Sequence, residues 1–202
     1  MTQAARNLTF EEYVNLDAEA WAQLGLPEGR CEYADGELTQ VPSESRINLL
    51  IANILFLAFI QAGIPLNLVY THACEVEVPG KPRTRYPDLV VLRAEHLQLT
   101  ERRAIITLDM PPPRLAVEVV SPGDQNHRRD YVAKRQQYQE RGIPEYWLIN
   151  PQDRTVTILE LAAGQYGEAS QFRDGDLIQS SVCPGLNLSI NQLFETIDIQ
   201  PT

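Results

Sequence analysis

The sequence is poor in cysteine. Cys31, Cys74 and Cys183 are its three thiols, and no two form a C-x-x-C pair, which excludes a zinc ribbon or a dithiol redox motif. An odd, sparse count fits buried thiols in a reducing compartment, so the cytoplasm is the expected location. Glycine-rich phosphate-binding motifs are missing as well. There is no G-x-x-x-x-G-K-[ST] and no G-x-G-x-x-G, which removes the usual nucleotide-binding classes. Ser121 has no G-x-S-x-G context, and no cysteine is paired with a histidine by motif, so a serine or cysteine hydrolase has no support. The three histidines, His72, His96 and His127, show no metal-ligand spacing. Long apolar runs are absent. The longest, Ile47 to Ile60, is interrupted by Asn48 and Asn53, is too short to span a bilayer, and reads as a buried helix. The N-terminal MTQAARNLTFEEY has no apolar core and offers no secretory leader. No membrane partner is expected.

Basic residues are scarce too: 17 against 27 acidic, for a net charge of −10. That balance argues against a polycation that coats nucleic acid or an anionic membrane without specificity. The deficit is uneven. Residues 1–80 carry 3 basic and 11 acidic side chains and residues 151–202 carry 2 and 7, whereas residues 81–150 carry 12 and 9. Two clusters make the middle third basic. One holds Lys81, Arg83, Arg85, Arg93, Arg102 and Arg103, and the other Arg128, Arg129, Lys134, Arg135 and Arg141. Either these are solvated faces or they form an anion-facing surface on one side.

With 202 residues, 44% of them hydrophobic, the chain can bury a core without disulfide or zinc. It shows no repeat and no linker, so one domain over residues 1–202 is expected, with its core at about 10–195. The spacing of Phe10, Tyr13, Leu16 and Trp21 predicts helix over 8–24, and Thr9 before Glu12 fits a capping box. Asp35-Gly36 within CEYADGELTQV signals a hairpin. Ser43 or Ser45 caps a helix over 46–62 that ends at Gly63. Residues 66–78 and 86–92 read as extended. Residues 115–120, LAVEVV, read as a buried central strand. Residues 126–142 read as a polar, basic helix. EYWLIN, 145–150, and TVTILEL, 155–161, form a hairpin through Pro151-Gln152-Asp153. More strand follows around 165–182, and a short helix at 190–197 closes the chain. The strand–helix–strand unit at 115–150 favours a mixed sheet with at least one parallel pair.

Four residues carry candidate chemistry. Glu118 sits inside an apolar strand, where an ionised carboxylate needs a cation, a metal or donors; the alternative is a solvent-facing residue on an alternating strand. Asp88 opens Leu-Val-Val-Leu after Pro87. Alone it reads as a turn residue, but two carboxylates on neighbouring strands can share a hard divalent cation such as Mg²⁺. Lys134 lies four residues after Asp130, which suits a simple helical ion pair. Its helix follows the Glu118 strand, so its ammonium could also reach back over the strand ends. Glu32, beside the hairpin turn, reads first as structural. His127 near the basic helix start is a weaker phosphate contact, and Tyr146 and Trp147 read as core.

CEYADGEL, YPDLVVL, LAVEVVSPGDQ, RRDYVAKRQQY and GIPEYWLINP occur in the order seen in the Uma-type restriction endonuclease family. The sequence therefore resembles that family, within the PD-(D/E)xK nuclease superfamily, over roughly residues 10–195. The resemblance implies an α/β fold with a restriction-endonuclease-like core: a central mixed β-sheet flanked by helices, with additional β-hairpins. It implies Mg²⁺-dependent hydrolysis of phosphodiester bonds in nucleic acid, DNA above all, with Mn²⁺ as a substitute. Asp88 matches the motif aspartate and Glu118 the acidic residue of the E-x-K element, with the main-chain carbonyl of Val119 as a further ligand. The usual lysine falls at Val120, and in this family it has moved to the following helix, here Lys134. Glu32 matches an early acidic residue that provides a ligand or polar contact. Relatives carry a histidine at the start of the apolar helix, where this sequence has Ser45-Arg46-Ile47-Asn48. The resemblance also admits a homodimer. Two other functions compete with an active endonuclease: a catalytically inactive nuclease-fold module that binds nucleic acid or protein, favoured by Val120 and the acidic balance, and a purely structural ion-pair network around Glu118.

Overall fold

In the computed structural model residues 8–198 are described, so most of the polar N-terminal stretch expected to hold no leader lies outside the described residues. The chain opens with helices α1 (Phe10–Asn15) and α2 (Ala18–Gln23). One helix was expected here. Asp17 divides it, because its carboxylate accepts from Ala20 N at 2.8 Å and starts a second helix. The capping box is present: the Thr9 hydroxyl accepts from Glu12 N while the Glu12 carboxylate accepts from Thr9 N. Strands β1 (Cys31–Ala34) and β2 (Glu37–Gln40) form the hairpin, and Asp35 and Gly36 both take the positive φ that its tight turn requires.

Helix α3 (Arg46–Gln61) begins at Ser45, whose hydroxyl accepts from Asn48 N. It packs Ile51, Leu55 and Phe59 inward, yet Ile47, Leu49 and Leu57 are exposed, so the helix is buried on one side only. The expected extended stretch at 66–78 is broken. A 3₁₀ turn, Leu66–Leu68, leads into β3 (Val69–Thr71), and after a left-handed residue at His72 the chain enters β4 (Glu75–Glu77) in a different sheet. Next come β5 (Thr84–Arg85), β6 (Leu89–Val91), a helical turn α4 (His96–Leu99) and β7 (Ile105–Ile106).

Strand β8 (Leu115–Val119) is buried along its whole length. The helical segment after it is α5 (Asp124–Arg128), a wider π turn over Arg129–Lys134, and α6 (Arg135–Arg141), which ends at left-handed Gly142. It is not a solvated basic helix: Asp130, Lys134, Gln137, Tyr138 and Arg141 are all buried. Strand β9 (Glu145–Asn150) follows, then β10 (Thr155–Ala162), β11 (Gln165–Tyr166), β12 (Ser170–Arg173) and helix α7 (Ile190–Asp198).

The main sheet runs β11-β10-β9-β8-β6-β3, with β12 also on β10. Strands β8 and β9 are parallel, as a strand–helix–strand unit requires, and their neighbours are antiparallel, so the sheet is mixed. Strands β5, β4 and β7 form a small second sheet. The main core lies between the large sheet and its helices, with Phe59 edge-on to Trp147 at 5.5 Å. A smaller cluster around Tyr13, Tyr33 and Leu38 joins the hairpin to α1. All three cysteines are buried. Among the described residues no helix is long and apolar enough to cross a membrane.

One buried carboxylate outside the cleft is wholly structural. Glu145 accepts from Trp147 Nε1 (2.5 Å), Ser180 Oγ (2.6 Å), Ser181 N (2.9 Å) and Oγ (2.7 Å), and Val182 N (3.1 Å), which ties the C-terminal segment to β9. Glu145→Ala strands those donors and is expected to cost about 3 kcal/mol in a urea unfolding titration.

Candidate active site

The register of the central strands builds the site. Leu89 of β6 faces Val117 of β8. One step further places Asp88 beside Glu118 at the end of the strand pair, and opposed residues share a face. Asp88 N donates to Val117 O at 3.0 Å, and Asp88 Oδ2 accepts from Val119 N at 2.6 Å. The aspartate is thus clamped to the Glu118 strand by main chain on both counts. Asp88 is 5% exposed and Glu118 2% exposed, so the solvent-facing alternative for Glu118 is ruled out.

Glu118 takes both of its partners from the helical segment. Lys134 Nζ donates to Oε2 at 2.6 Å, and the Tyr138 hydroxyl donates to Oε1 at 2.7 Å. Lys134 also lies 3.3 Å from Asp130 Oδ1, and Arg129 Nε donates to the same oxygen at 3.0 Å. The expected helical ion pair exists, but it is one arm of a buried network. The π turn ends at Lys134, where the altered winding presents Asp130, Lys134 and Tyr138 together toward the sheet.

Burial pushes the Glu118 carboxyl well above the ordinary carboxylate range. Lys134 opposes this shift, and the nearby Asp88 and Asp130 add to it. Lys134 itself is held up by Glu118, Asp130 and Asp88, against the effect of its own burial. Tyr138 is pushed upward by burial and by Glu118. One mobile proton at this cluster would therefore sit on the carboxylate if its cation were lost.

Glu118, Asp88, Val119, Lys134 and Glu32 line one cleft of about 360 Å³, with Arg129 and Asn126 at its side. The structure thus brings Asp88, Glu118, Val119, Lys134 and Glu32 to one place. Glu32 is not free in it: Arg85 Nη1 lies 3.0 and 3.2 Å from its two oxygens, and Arg85 Nε donates to Gln137 at 2.8 Å. His127 is elsewhere. It stacks on Tyr131 at 4.1 Å and borders a separate polar cavity.

The basic clusters do not form one anion-facing surface. Arg83 pairs with Glu77, Arg85 with Glu32 and Arg103 with Glu75, while Arg93 and Arg141 donate to main-chain carbonyls. Their carboxylate partners come mostly from the acidic first 80 residues, so much of the charge asymmetry cancels inside the fold.

Sequence reasoning missed two contributors and underused a third. Tyr138 was visible, four residues after Lys134 in the D-x-x-x-K-x-x-x-Y pattern. Asn48, at the head of α3, donates through its amide to Glu44 (3.3 Å) and Ser121 (3.2 Å) and approaches the Val119 carbonyl at 3.5 Å. His72 lies 3.3 Å from Asp88 Oδ1. Only strand pairing places it there, so no local spacing could announce it.

A central mixed sheet, an aspartate clamped beside a buried glutamate, and a lysine delivered by the following helix define the restriction-endonuclease-like class of α/β fold. The chain belongs to the Uma2 family, described as "Putative restriction endonuclease", whose family model matches residues 10–191. Its fold is shared by a crystal structure described as "a putative nuclease belonging to DUF820" from Anabaena variabilis. That protein is 19% identical, with a TM-score of 0.63 over 93% of this chain and 98% of the other. No curated protein matches the sequence.

Removing the cation from the buried pair tests the electrostatics. In Lys134→Met, Glu118 keeps its burial and loses its counter-charge, so its folded-state pKa rises further above the unfolded value of about 4.3. The folded state then binds more protons than the unfolded one across that interval, and stability falls as pH rises. The parent's Glu118 is itself pushed up to about 8, so from pH 5 to 8 the two proteins should lose this stability in parallel. Above pH 8 the gap should widen by about 1 kcal/mol per pH unit, read from urea midpoints. Adding Glu118→Gln should remove that widening.

Proposed function

We propose that the chain is a metal-dependent endonuclease that hydrolyses phosphodiester bonds in nucleic acid, with DNA as the substrate. The observation that carries this is the convergence of Asp88, Glu118 and Lys134, from three different elements, on one cleft. Membership of a family described as restriction endonucleases supports it.

The donor set suits a hard divalent cation. Asp88 and Glu118 offer carboxylate oxygens, and Val119 offers its main-chain carbonyl, the oxygen chemistry that Mg²⁺ and Mn²⁺ favour. The site also shows an unmet polar demand: both His72 ring nitrogens are buried with no hydrogen-bond partner, and Nδ1 lies 3.3 Å from Asp88 Oδ1. A bound cation would neutralise phosphate charge and acidify a water molecule.

The protein's own groups do the rest. The Val119 N–H, donating to Oδ2, fixes the Asp88 carboxylate without a flexible side-chain partner. Tyr138 orients Glu118 through Oε1. Lys134 holds its proton at Nζ beside Glu118, where it can position a nucleophilic water and stabilise charge developing on the phosphorus oxygens. Arg129, at the side of the cleft, is the guanidinium placed to meet a phosphate. Glu32 holds Arg85 and so braces the hairpin wall of the cleft.

A second reading is a nuclease-fold module that binds without cleaving. It is favoured by the full engagement of both Glu118 oxygens by Lys134 and Tyr138, which leaves that carboxylate satisfied without a metal.

Supercoiled plasmid incubated with Mg²⁺ or Mn²⁺ separates the two. The parent should nick or linearise it, and Asp88→Ala, purified identically, should not. Lys134→Ala should cleave at least about a hundredfold more slowly, the scale for removing one charge-stabilising donor. If Lys134→Ala matches the parent, its assigned role is wrong. DNA retention without cleavage, indifferent to metal, would favour the binding module.

A further inference from the structure

His72 is the titratable group at the cleft that the chemistry above leaves without a role. It ends β3, where Thr71 faces Leu89 and Leu89 faces Val117. One residue on, the same row runs His72, Asp88, Glu118 across three neighbouring strands, and His72 N donates to Asp88 O at 3.0 Å. The backbone there has φ 52°, a left-handed conformation that glycine or asparagine adopts more readily than histidine. The side chain is 13% exposed. Neither ring nitrogen has a hydrogen-bond partner, although both are shut off from solvent. Buried polar atoms in that state are rare and ask for a missing partner. Nδ1 lies 3.3 Å from Asp88 Oδ1 without the alignment of a hydrogen bond.

Glu44 supplies a third donor atom, just before the start of α3. One donor atom each from Glu44, His72 and Asp88 lie within 4.8 Å of one another. Adjacent ligands on an octahedral dication stand about 3 Å apart and opposite ones about 4.2 Å apart. The His72–Asp88 spacing is close to the first of these. Glu44 is steered toward the group by Arg30, at 3.1 Å from one oxygen, and by the Asn48 amide, at 3.3 Å from the other.

Resting on the metal dependence proposed above, we infer that His72 is a nitrogen ligand to the ion Asp88 binds, and that with Glu44 it makes the cleft prefer a first-row transition-metal dication over Mg²⁺. Mg²⁺ takes oxygen ligands and releases its waters reluctantly, so an imidazole adds little to its binding. Transition-metal dications accept imidazole nitrogen beside carboxylate oxygen. The selectivity of the cleft then comes from His72 and not from the two carboxylates that any hard ion would use.

The test uses the full chain, stripped with EDTA and titrated separately with Mn²⁺ and Mg²⁺ by calorimetry, for the parent, His72→Asn and Asp88→Ala. Asparagine tolerates the left-handed backbone, and melting in EDTA checks that the variant folds. The parent should bind Mn²⁺ about tenfold or more tightly than Mg²⁺, and His72→Asn should lose most of that preference while its Mg²⁺ affinity changes little. Pulsed electron paramagnetic resonance of Mn²⁺ on the parent should show imidazole nitrogen coupling that is gone in His72→Asn. An unchanged Mn²⁺-to-Mg²⁺ ratio in the variant, or no nitrogen coupling in the parent, overturns the role of His72 and leaves that of Asp88 standing. No metal binding by the parent, or parental affinity in Asp88→Ala, overturns the metal site itself. The resonance measurement on the parent decides the matter even if His72→Asn fails to fold.

Discussion

A carboxylate buried in the central strand of a sheet must be answered from outside that strand, and much of this structure is arranged around the answer. Glu118 lies among Val117, Val119 and the apolar face of β9, where an unpaired charge is untenable. Lys134 and Tyr138 satisfy it from the crossover helix. That pairing fixes how the helix lies on the sheet and accounts for the buried polar face of a segment with an exposed, basic opposite side. A hydrophobic residue of similar volume at position 118 would pack without this network, so the arrangement is poorly explained by stability alone. A cleft that must handle a proton, a cation or a phosphate explains it better.

Asp88 extends the same logic. Its carboxylate is held by a main-chain N–H of the neighbouring strand, a donor that cannot rotate away. Val120 sits 5% exposed in the main core, and the ammonium reaches Glu118 from the helix, at position 134. At the head of the apolar helix Asn48 reaches Ser121, and His72 approaches Asp88 from the end of β3.

Elsewhere in the molecule part of the charge is paired within the fold. The acidic first 80 residues and the basic middle third meet in pairs such as Glu32–Arg85, Glu75–Arg103 and Glu77–Arg83. Arg103 also lies over the Tyr13 ring at 4.3 Å, joining the N-terminal helices to the small sheet. The cleft is lined by few cations, Arg129 and Lys134, so an anionic ligand there would need specific contact in place of general attraction.

Local pattern alone was enough for the elements. The Asp-Gly turn, the capping box at Thr9, the Ser45 cap, the largely apolar runs of β8 and β9, and the glycine that ends α6 are each dictated by a few adjacent residues. The order of the motifs was enough for the family and for Asp88, Glu118 and Lys134 as candidates. Where the sequence read a continuous helix or strand, at 8–24, 66–78 and 126–142, the structure broke it at Asp17, at His72 and through the π turn. The break at Asp17 is a local cap, whereas the other two serve partners distant in the chain. Tertiary structure alone decided that Glu118 is buried, that Arg83, Arg85 and Arg103 face carboxylates, and that His72 and Glu44 stand beside Asp88. The reason is physical: periodicity is set by neighbours in sequence, whereas desolvation, ion pairing and ligand convergence depend on strand register and on which surfaces the packed elements cover.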